Sequence, residues 1–426
     1  METEKLEELK IPNYKELEKK IKNLSQYKEE LEKVLHKETT LLCQILMGGA
    51  VFLMASDVHL EPKKEFAQLR VRLDGILHEV INFDLKIFKL LLSRLKLMSG
   101  LKLNIVDKPQ DGRFSIIVDR GIEVRVSSLP SEYGETIVMR LLDPKSLLNL
   151  EDLGLRKDLL ETLEKEIKKP NGMIIVTGPT GSGKTTTLYA ILRKIRSPEI
   201  KIITLEDPIE YKLEGIVQTQ VNPKKGYDFA NGLRAIARQD PDVILVGEIR
   251  DLETASIALQ AALTGHLVLS TLHTNDAAGT IARLIALGEK PVNIAPALNV
   301  AMAQRLVRKV CQNCKKIEMP SEEERKKIEK AFELIGKKAP SFDKIPKAVG
   351  CKECNFTGYK GRIGIYEFFL VDEEMESFIL KAPSISEMRK KAIEKGMVPM
   401  YQDGLLKVLE GITTIEEVER VAEPPF

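Results

Sequence analysis

The sequence contains no tryptophan and no apolar stretch long enough to cross a bilayer, and it carries almost no net charge. Sixty-five lysines and arginines stand against 63 aspartates and glutamates, leaving a formal charge of +2. Such a balance gives no global electrostatic footprint for wrapping nucleic acid, so any basic patch would have to be local. The most apolar run, LLCQILMGGAVFLMA (residues 41–55), falls short of the roughly 20 residues a spanning helix needs. It also holds Gln44 and the pair Gly48-Gly49, and is predicted to be a buried helix. The opening METEKLEELK has neither a basic n-region nor an apolar h-region, so no secretory signal is expected. A cytoplasmic location follows, where thiols stay reduced. The missing tryptophan, sparse glutamine and abundant lysine and glutamate fit the surface of a thermophile's protein.

Cysteine is also scarce, with five in the chain, yet four fall into two close pairs, CQNC at Cys311 and Cys314 and CKEC at Cys351 and Cys354. In a reducing compartment paired cysteines suggest metal binding over disulfides. Each turn presents two thiolates on one side, and two turns complete a tetrahedral site for structural Zn²⁺. The gap between the pairs, about 36 residues, exceeds common zinc-ribbon spacing, and a redox pair or reduced core thiols are the alternatives. The insert KKIEMPSEEERKKIEKAFELIGKK is charged and helical in pattern, consistent with a small metal-pinned subdomain. Cys43, inside the apolar run, is expected to be core.

What is present divides the 426 residues into several domains. Leu17, Ile21, Leu24, Leu31 and Leu35 recur at helical spacing after Pro12 and Asn13, predicting one amphipathic helix in an N-terminal segment, residues 1–50. Residues 51–143 read as a small α+β domain with a largely antiparallel sheet. There AQLRVRLDGIL places Leu69, Val71 and Leu73 on one face, FSIIVD and IEVRVSSL meet at Arg120-Gly121, and ETIVMRLL follows. LKIFKLLLSRLKLMSG supplies a helix among these strands. Residues 144–157 read as a linker broken by Asp143-Pro144 and Gly154. Residues 158–309 alternate short apolar strands with helical patterns, predicting an α/β domain whose parallel sheet is covered on both faces. A tetracysteine zinc subdomain (310–366) and a C-terminal helical subdomain (367–426) complete the expected order.

MIIVTGPTGSGKTTTLYAIL has the order strand, glycine-rich loop, helix. Gly178, Gly183, Lys184 and Thr185 fit G-x-x-x-x-G-K-S/T. In that motif the glycines let backbone N–H groups face phosphates at a helix N-terminus, the lysine reaches the β/γ oxygens, and the hydroxyl can ligate Mg²⁺. The expected phosphate site therefore runs from Gly178 through Pro179, Thr180, Gly181, Ser182, Gly183, Lys184 and Thr185 to Thr186.

Ligands of open parallel sheets sit at the carboxyl ends of strands. KIITLEDPIE delivers Glu206, Asp207 and Glu210 there, DVILVGEIRD delivers Glu248, Arg250 and Asp251, and HLVLSTLHTND delivers Thr271, His273 and Asp276. Each acid singly could be a helix cap, and His273 could be a satisfied structural residue. Three such ends after a phosphate loop favour phosphoryl transfer, which needs a metal, a water-orienting group and cations on the moving phosphate. Glu248 stands at the magnesium or water position, Glu210 and Glu206 are rivals for orienting water, and His273 is a candidate γ-phosphate sensor. His266 opens its strand and is expected at the opposite edge. No N-K-x-D run selects guanine, so ATP is expected.

From about Ala55 onward the chain resembles the type II secretion and type IV pilus assembly ATPases. The resemblance rests on ASDVHLEP, RLDGIL, PQDGRF, RVSSLPSEYGETIVMRLLD, GPTGSGKTTTLY, TLEDPIEYKLEGIVQTQVN, LRAIARQDPDVILVGEIRDLETA, ALTGHLVLSTLHTNDA and AQRLVRKVCQNC. It implies a RecA-like P-loop ATPase domain in a homohexamer, with the small α+β domain closing over ATP and Mg²⁺. It assigns phosphate-directed roles to Arg125 and Arg140, with Arg113 a weaker companion; read alone, these are ordinary polar-face strand residues. It further implies peripheral association with the inner membrane, where a platform protein is the partner and pilins or pseudopilins are driven indirectly into a fibre. Only about 50 residues precede ASDVHLEP, fewer than such proteins usually place before it. The alternatives are a retraction motor, which usually lacks the cysteine pairs, and a zinc-bearing nucleic-acid motor or binding protein. The last is disfavoured because the cysteine segment lacks the aromatic run of a base-stacking platform, and what speaks for it is the presence there of Phe356, Tyr359, Lys360 and Arg362.

Overall fold

Alternation of apolar and polar residues builds the first sheet of the computed structural model, which describes residues 7–425. Residues 1–6 and 426, the outer ends of the expected N-terminal and C-terminal segments, lie outside the described residues. The chain divides into two compact units. The first runs to Ser146 and takes in Cys311–Cys314 and Val349–Lys360; the second comprises Leu147–Val310, Lys315–Ala348 and the chain from Gly361 onward.

The first unit contains β1 (Glu8–Lys10), β2 (Asp57–Pro62), β3 (Ala67–Leu73), β4 (Ile76–Phe83), β5 (Gln110–Ile117), β6 (Gly121–Ser131) and β7 (Gly134–Leu142). They form one sheet in the order β1-β5-β6-β7-β2-β3-β4, antiparallel except for the parallel β1–β5 pair. Leu69, Val71 and Leu73 of β3 are buried while the residues between them are not, as the alternation predicts. The helices α1 (Tyr14–Lys20), α2 (Leu24–Glu32), α3 (Thr39–Phe52) and α4 (Leu85–Met98) share a core with the sheet's apolar face.

Two helices stand where one amphipathic helix was expected. Ile21 turns to extended backbone after α1, and the Asn23 side chain accepts a hydrogen bond from Gln26 N at 3.0 Å. A cap of this kind satisfies an N–H that a new helix would otherwise leave open, so Asn23 starts a second helix inside a periodic pattern. The apolar run becomes α3, with Cys43 fully buried. Gly49 is required there: a Cβ would meet the Tyr27 ring at 2.2 Å. That close approach lets the Tyr27 hydroxyl donate to Leu46 O at 2.6 Å.

The second unit contains β8 (Gly172–Thr177), β9 (Ile202–Glu206), β10 (Val217–Gln220), β11 (Val243–Val246), β12 (Leu267–Leu272) and β13 (Leu298–Val310). The sheet order is β10-β9-β11-β12-β8-β13, followed by the strand Tyr359–Leu370, and the registered pairs from β10 to β13 are parallel. Every residue of β8, β9, β11 and β12 is buried. Met173, Ile203, Ile244 and Val268 face one core, while Ile174, Ile202, Leu245 and Leu269 face another beside α5 (Lys157–Glu166) and α6 (Lys184–Ile195). Continuous apolar runs are the consequence of covering both faces.

The insert helix Glu322–Glu333 begins with a capping box between Ser321 and Glu324. Its Ile328 and Phe332 share a core with Met388, Leu405 and Val418 of the C-terminal helices, and Gln402 Nε2 donates to Ala331 O at 2.8 Å. Asp403, 0% exposed, accepts from Arg156 Nη1 at 2.5 Å, Tyr366 N at 2.8 Å and Lys407 Nζ at 3.1 Å. Three donors, two of them cationic, compensate the desolvation of this carboxylate and tie the start of α5 to the C-terminal helices.

Candidate active site

The turn from β8 into α6 needs glycine at its first position. Gly178 has φ of +147°, and a Cβ there would lie 2.6 Å from Gln304 O and 2.7 Å from Ser182 Oγ. Lys184 Nζ donates to the carbonyls of Gly178 at 2.7 Å and Pro179 at 3.1 Å. Thr180 and Gly181 form the exposed crest, and Thr185 and Thr186 stand in the first turn of α6. Ser182 is buried, yet its hydroxyl has no hydrogen-bond partner. An orphaned buried hydroxyl inside a loop of N–H groups at a helix N-terminus fits an anionic group such as phosphate.

Three neighbouring strands bring their polar ends to the same edge of the sheet. After β11, Glu248 forms an ion pair with Arg250 and lies 3.7 Å from His273 Nε2, which follows β12. Burial, then the positive charge of Lys184, lowers the His273 pKa, opposed by Glu248. The imidazole is thus biased toward its neutral form near pH 7. Burial likewise lowers the Lys184 pKa, with Glu248 raising it and Arg305 lowering it further. Lys184, Glu248, Arg250 and His273 therefore form one electrostatic cluster.

Glu206, the last residue of β9, is 4% exposed. Oε2 accepts from the Tyr189 hydroxyl, while Oε1 accepts from Thr204 Oγ1 at 2.6 Å and Gln218 Nε2 at 3.3 Å. Burial raises its pKa, and these hydrogen bonds pull the other way. Glu210 lies in the segment beyond it, half-buried, with its N–H donating to the Tyr189 hydroxyl at 3.3 Å.

Asp251 caps, accepting from Thr254 N at 2.8 Å to start the helix Leu252–Leu263, and Asp276 accepts from Gly279 N at 2.6 Å. His266 lies at the start of β12, its Nδ1 2.9 Å from Ala261 O.

Two residues near the loop were not singled out from the sequence. Arg305, on β13 beside β8, donates to Gln304 O and Asn275 O, both at 3.0 Å, and so ties β13 to the loop after β12. Tyr189 joins α6 to the segment after β9. The available signal for Arg305 was that it is the first charged residue of β13; Tyr189 reads as an ordinary apolar helix position.

Arg125 and Arg140 belong to the first unit, where the register aligns them in a row. Arg113 opposes Arg125, Arg125 opposes Arg140, Arg140 opposes Asp57, and Asp57 opposes Arg72. Arg140 Nε lies 3.0 Å from Asp57 Oδ1 and Arg72 Nε 3.3 Å from Oδ2. Like charges directly opposite each other disfavour a sheet, and Asp57 offsets that for Arg140 and Arg72.

The two cysteine turns also group with the first unit. The four sulfurs of Cys311, Cys314, Cys351 and Cys354 lie within 4.8 Å of one another, and three pairs stand 3.8–3.9 Å apart. Sulfurs about 2.3 Å from a tetrahedral zinc would be about 3.8 Å apart, so the donor set fits that metal. Burial raises the Cys354 thiol, but N–H groups of Cys351 and Gly358 directed at its sulfur bring it down to about 7. Asn355, the next residue, accepts from Leu24 N at the start of α2 at 2.7 Å.

This architecture has relatives. The family model for "Type II/IV secretion system protein" matches residues 34–420. The Type II secretion system ATPase E of Vibrio cholerae is 47% identical over 390 residues, covering 90% of this chain and 75% of that protein. The type IV pilus assembly ATPase PilB of Pseudomonas aeruginosa is 44% identical over 389 residues, covering 90% of this chain and 66% of that protein. Among solved structures, the pilus retraction motor PilT with bound ADP matches with a TM-score of 0.60 and 26% identity, covering 89% of this chain and 96% of that one. The glycine loop with Lys184 and the charged strand ends beside it thus stand in a known setting: the chain belongs to the type II/IV secretion system protein family and is one of its ATPases.

Proposed function

We propose that this chain is the ATP-hydrolysing motor of a type II secretion pseudopilus or type IV pilus, working as a cytoplasmic homohexamer on an inner-membrane platform protein. The observation that carries the reading is the meeting of Lys184, Glu248 and His273 at the carboxyl edge of one parallel sheet, beside the loop 178–183. Gly178 to Thr186 hold the phosphates of ATP. Thr185 and Glu248, the latter through water, hold Mg²⁺, which when bound neutralises charge on the β- and γ-phosphates. His273, biased toward neutrality, offers a hydrogen bond to the γ-phosphate without adding charge.

Of the three glutamates, Glu206 has its oxygens engaged by buried donors and serves as an anchor. Glu248 is electrostatically coupled to Lys184 on the metal side. Glu210, on the segment that the Tyr189 hydroxyl holds, orients the attacking water. Arg125 and Arg140 are the cations offered to nucleotide phosphates, a role supported by their place in a row of arginines. In a ring such cations make domain position depend on nucleotide state, which converts hydrolysis into movement. Zinc held by the four cysteines would act as a structural crosslink with no position open for chemistry. The cysteine cluster, together with identities of 47% to a type II secretion system ATPase and 44% to a type IV pilus assembly ATPase against 26% to a retraction motor, favours assembly.

Mass photometry with Mg²⁺ and a non-hydrolysable ATP analogue should show particles of six copies. ATP turnover should then rise with inner-membrane vesicles carrying the platform protein. A chain that stays monomeric under these conditions, with turnover indifferent to the vesicles, would overturn the motor reading.

A further inference from the structure

Glu206 and Tyr189 form a buried acid–hydroxyl pair that phosphoryl transfer does not itself require. Tyr189 lies on α6, five residues beyond Lys184, with its ring buried edge-on against Tyr211 at 6.2 Å between centroids. Its hydroxyl donates to Glu206 and accepts the N–H of Glu210. The same segment is held from the other side by Gln218, whose amide donates to Tyr211 O at 2.9 Å and accepts from Leu213 N at 2.7 Å. A buried carboxylate costs desolvation, and an apolar pair of similar volume would pack α6 against β9 without that cost. What an apolar pair could not do is fix the backbone of Glu210 relative to the helix whose first residue is Lys184.

We infer that Tyr189 is a positioning residue for ATP hydrolysis: its hydroxyl, oriented by the Glu206 carboxylate, sets where Glu210 stands relative to the phosphate loop. The inference rests on the assignment of Glu210 to the attacking water. Through this contact α6 and the water-orienting segment move as one body. Loss of the hydroxyl frees the Glu210 backbone while the aromatic contact with Tyr211 remains, and small misplacement of a reacting group costs rate more than binding.

The test is a double-mutant cycle on the full chain, reading kcat, the KM for MgATP and the melting temperature. Tyr189→Phe should lower kcat by about 10- to 100-fold with KM changed less than about threefold. In a Glu210→Gln background the same replacement should cause little further loss of kcat, since there is no longer a base to misplace, although any melting shift should persist. Unchanged kcat in Tyr189→Phe, or equal losses in both backgrounds, would overturn the positioning role while leaving Glu210 in place. Wild-type turnover in Glu210→Gln alone would overturn the water assignment and the inference with it.

Discussion

Lys184→Ala is expected to lower ATP turnover by at least about a thousandfold, equivalent to about 4 kcal/mol of transition-state stabilisation. The ammonium is the cation that the phosphate loop itself carries, and phosphoryl transfer is catalysed chiefly by positioning and by neutralising charge. In the fold the change forfeits the hydrogen bonds to the Gly178 and Pro179 carbonyls, both on the same surface loop. The melting temperature should therefore move by less than about 3 °C, in keeping with the small net worth of such bonds. Phosphate release under saturating MgATP measures the effect. Turnover near the wild-type rate would remove the loop from the chemistry.

The second large effect is expected from replacing Cys311 and Cys314 together by serine. Metal analysis of the wild-type chain should give about one zinc per chain, and the double variant should give none. Losing a four-thiolate crosslink that binds with free energies on the order of 10 kcal/mol in small domains should lower the melting temperature by about 10 °C or more. The loss should also be local. Asn355 sits directly after Cys354 and holds the start of α2, so amide exchange should rise first in the cysteine turns and at Leu24. A wild-type chain without zinc, or a variant that melts unchanged, would reduce the cysteines to core thiols.

Much of this site could be read directly because its information is local. Gly178, Gly183, Lys184 and Thr185 lie within one turn and one helix start, and their spacing alone carries the chemistry. The strand ends were legible for a related reason: burial on both faces keeps the body of each strand free of charge, so the first acid or histidine marks the edge. That rule located Glu206, Glu248 and His273 together but could not distinguish their environments. Whether a strand-end carboxylate faces solvent or a tyrosine from the preceding helix depends on packing, and Glu206 and Glu248 differ in just that respect.

Features set by register or by distant partners left no periodic mark. The arginine row exists only because β5, β6, β7, β2 and β3 align Arg113, Arg125, Arg140, Asp57 and Arg72, which sequence spacing does not reveal. The bond between Leu24 and Asn355 joins residues 331 apart, so the grouping of the cysteine turns with the first unit was out of reach of any local pattern. The break between α1 and α2 was missed because one capping residue, Asn23, outweighed an apolar period that continued through it.

If β8, β9, β11 and β12 deliver one phosphoryl-transfer site, the residues at their carboxyl ends act together on ATP. Single-turnover cleavage of ATP by Glu248→Gln tests this joint action most directly, because this residue joins the Lys184 side of the cluster to His273. ATP should bind within about threefold of the wild-type affinity and be cleaved at least about a hundredfold more slowly. Cleavage at the wild-type rate would contradict the shared site.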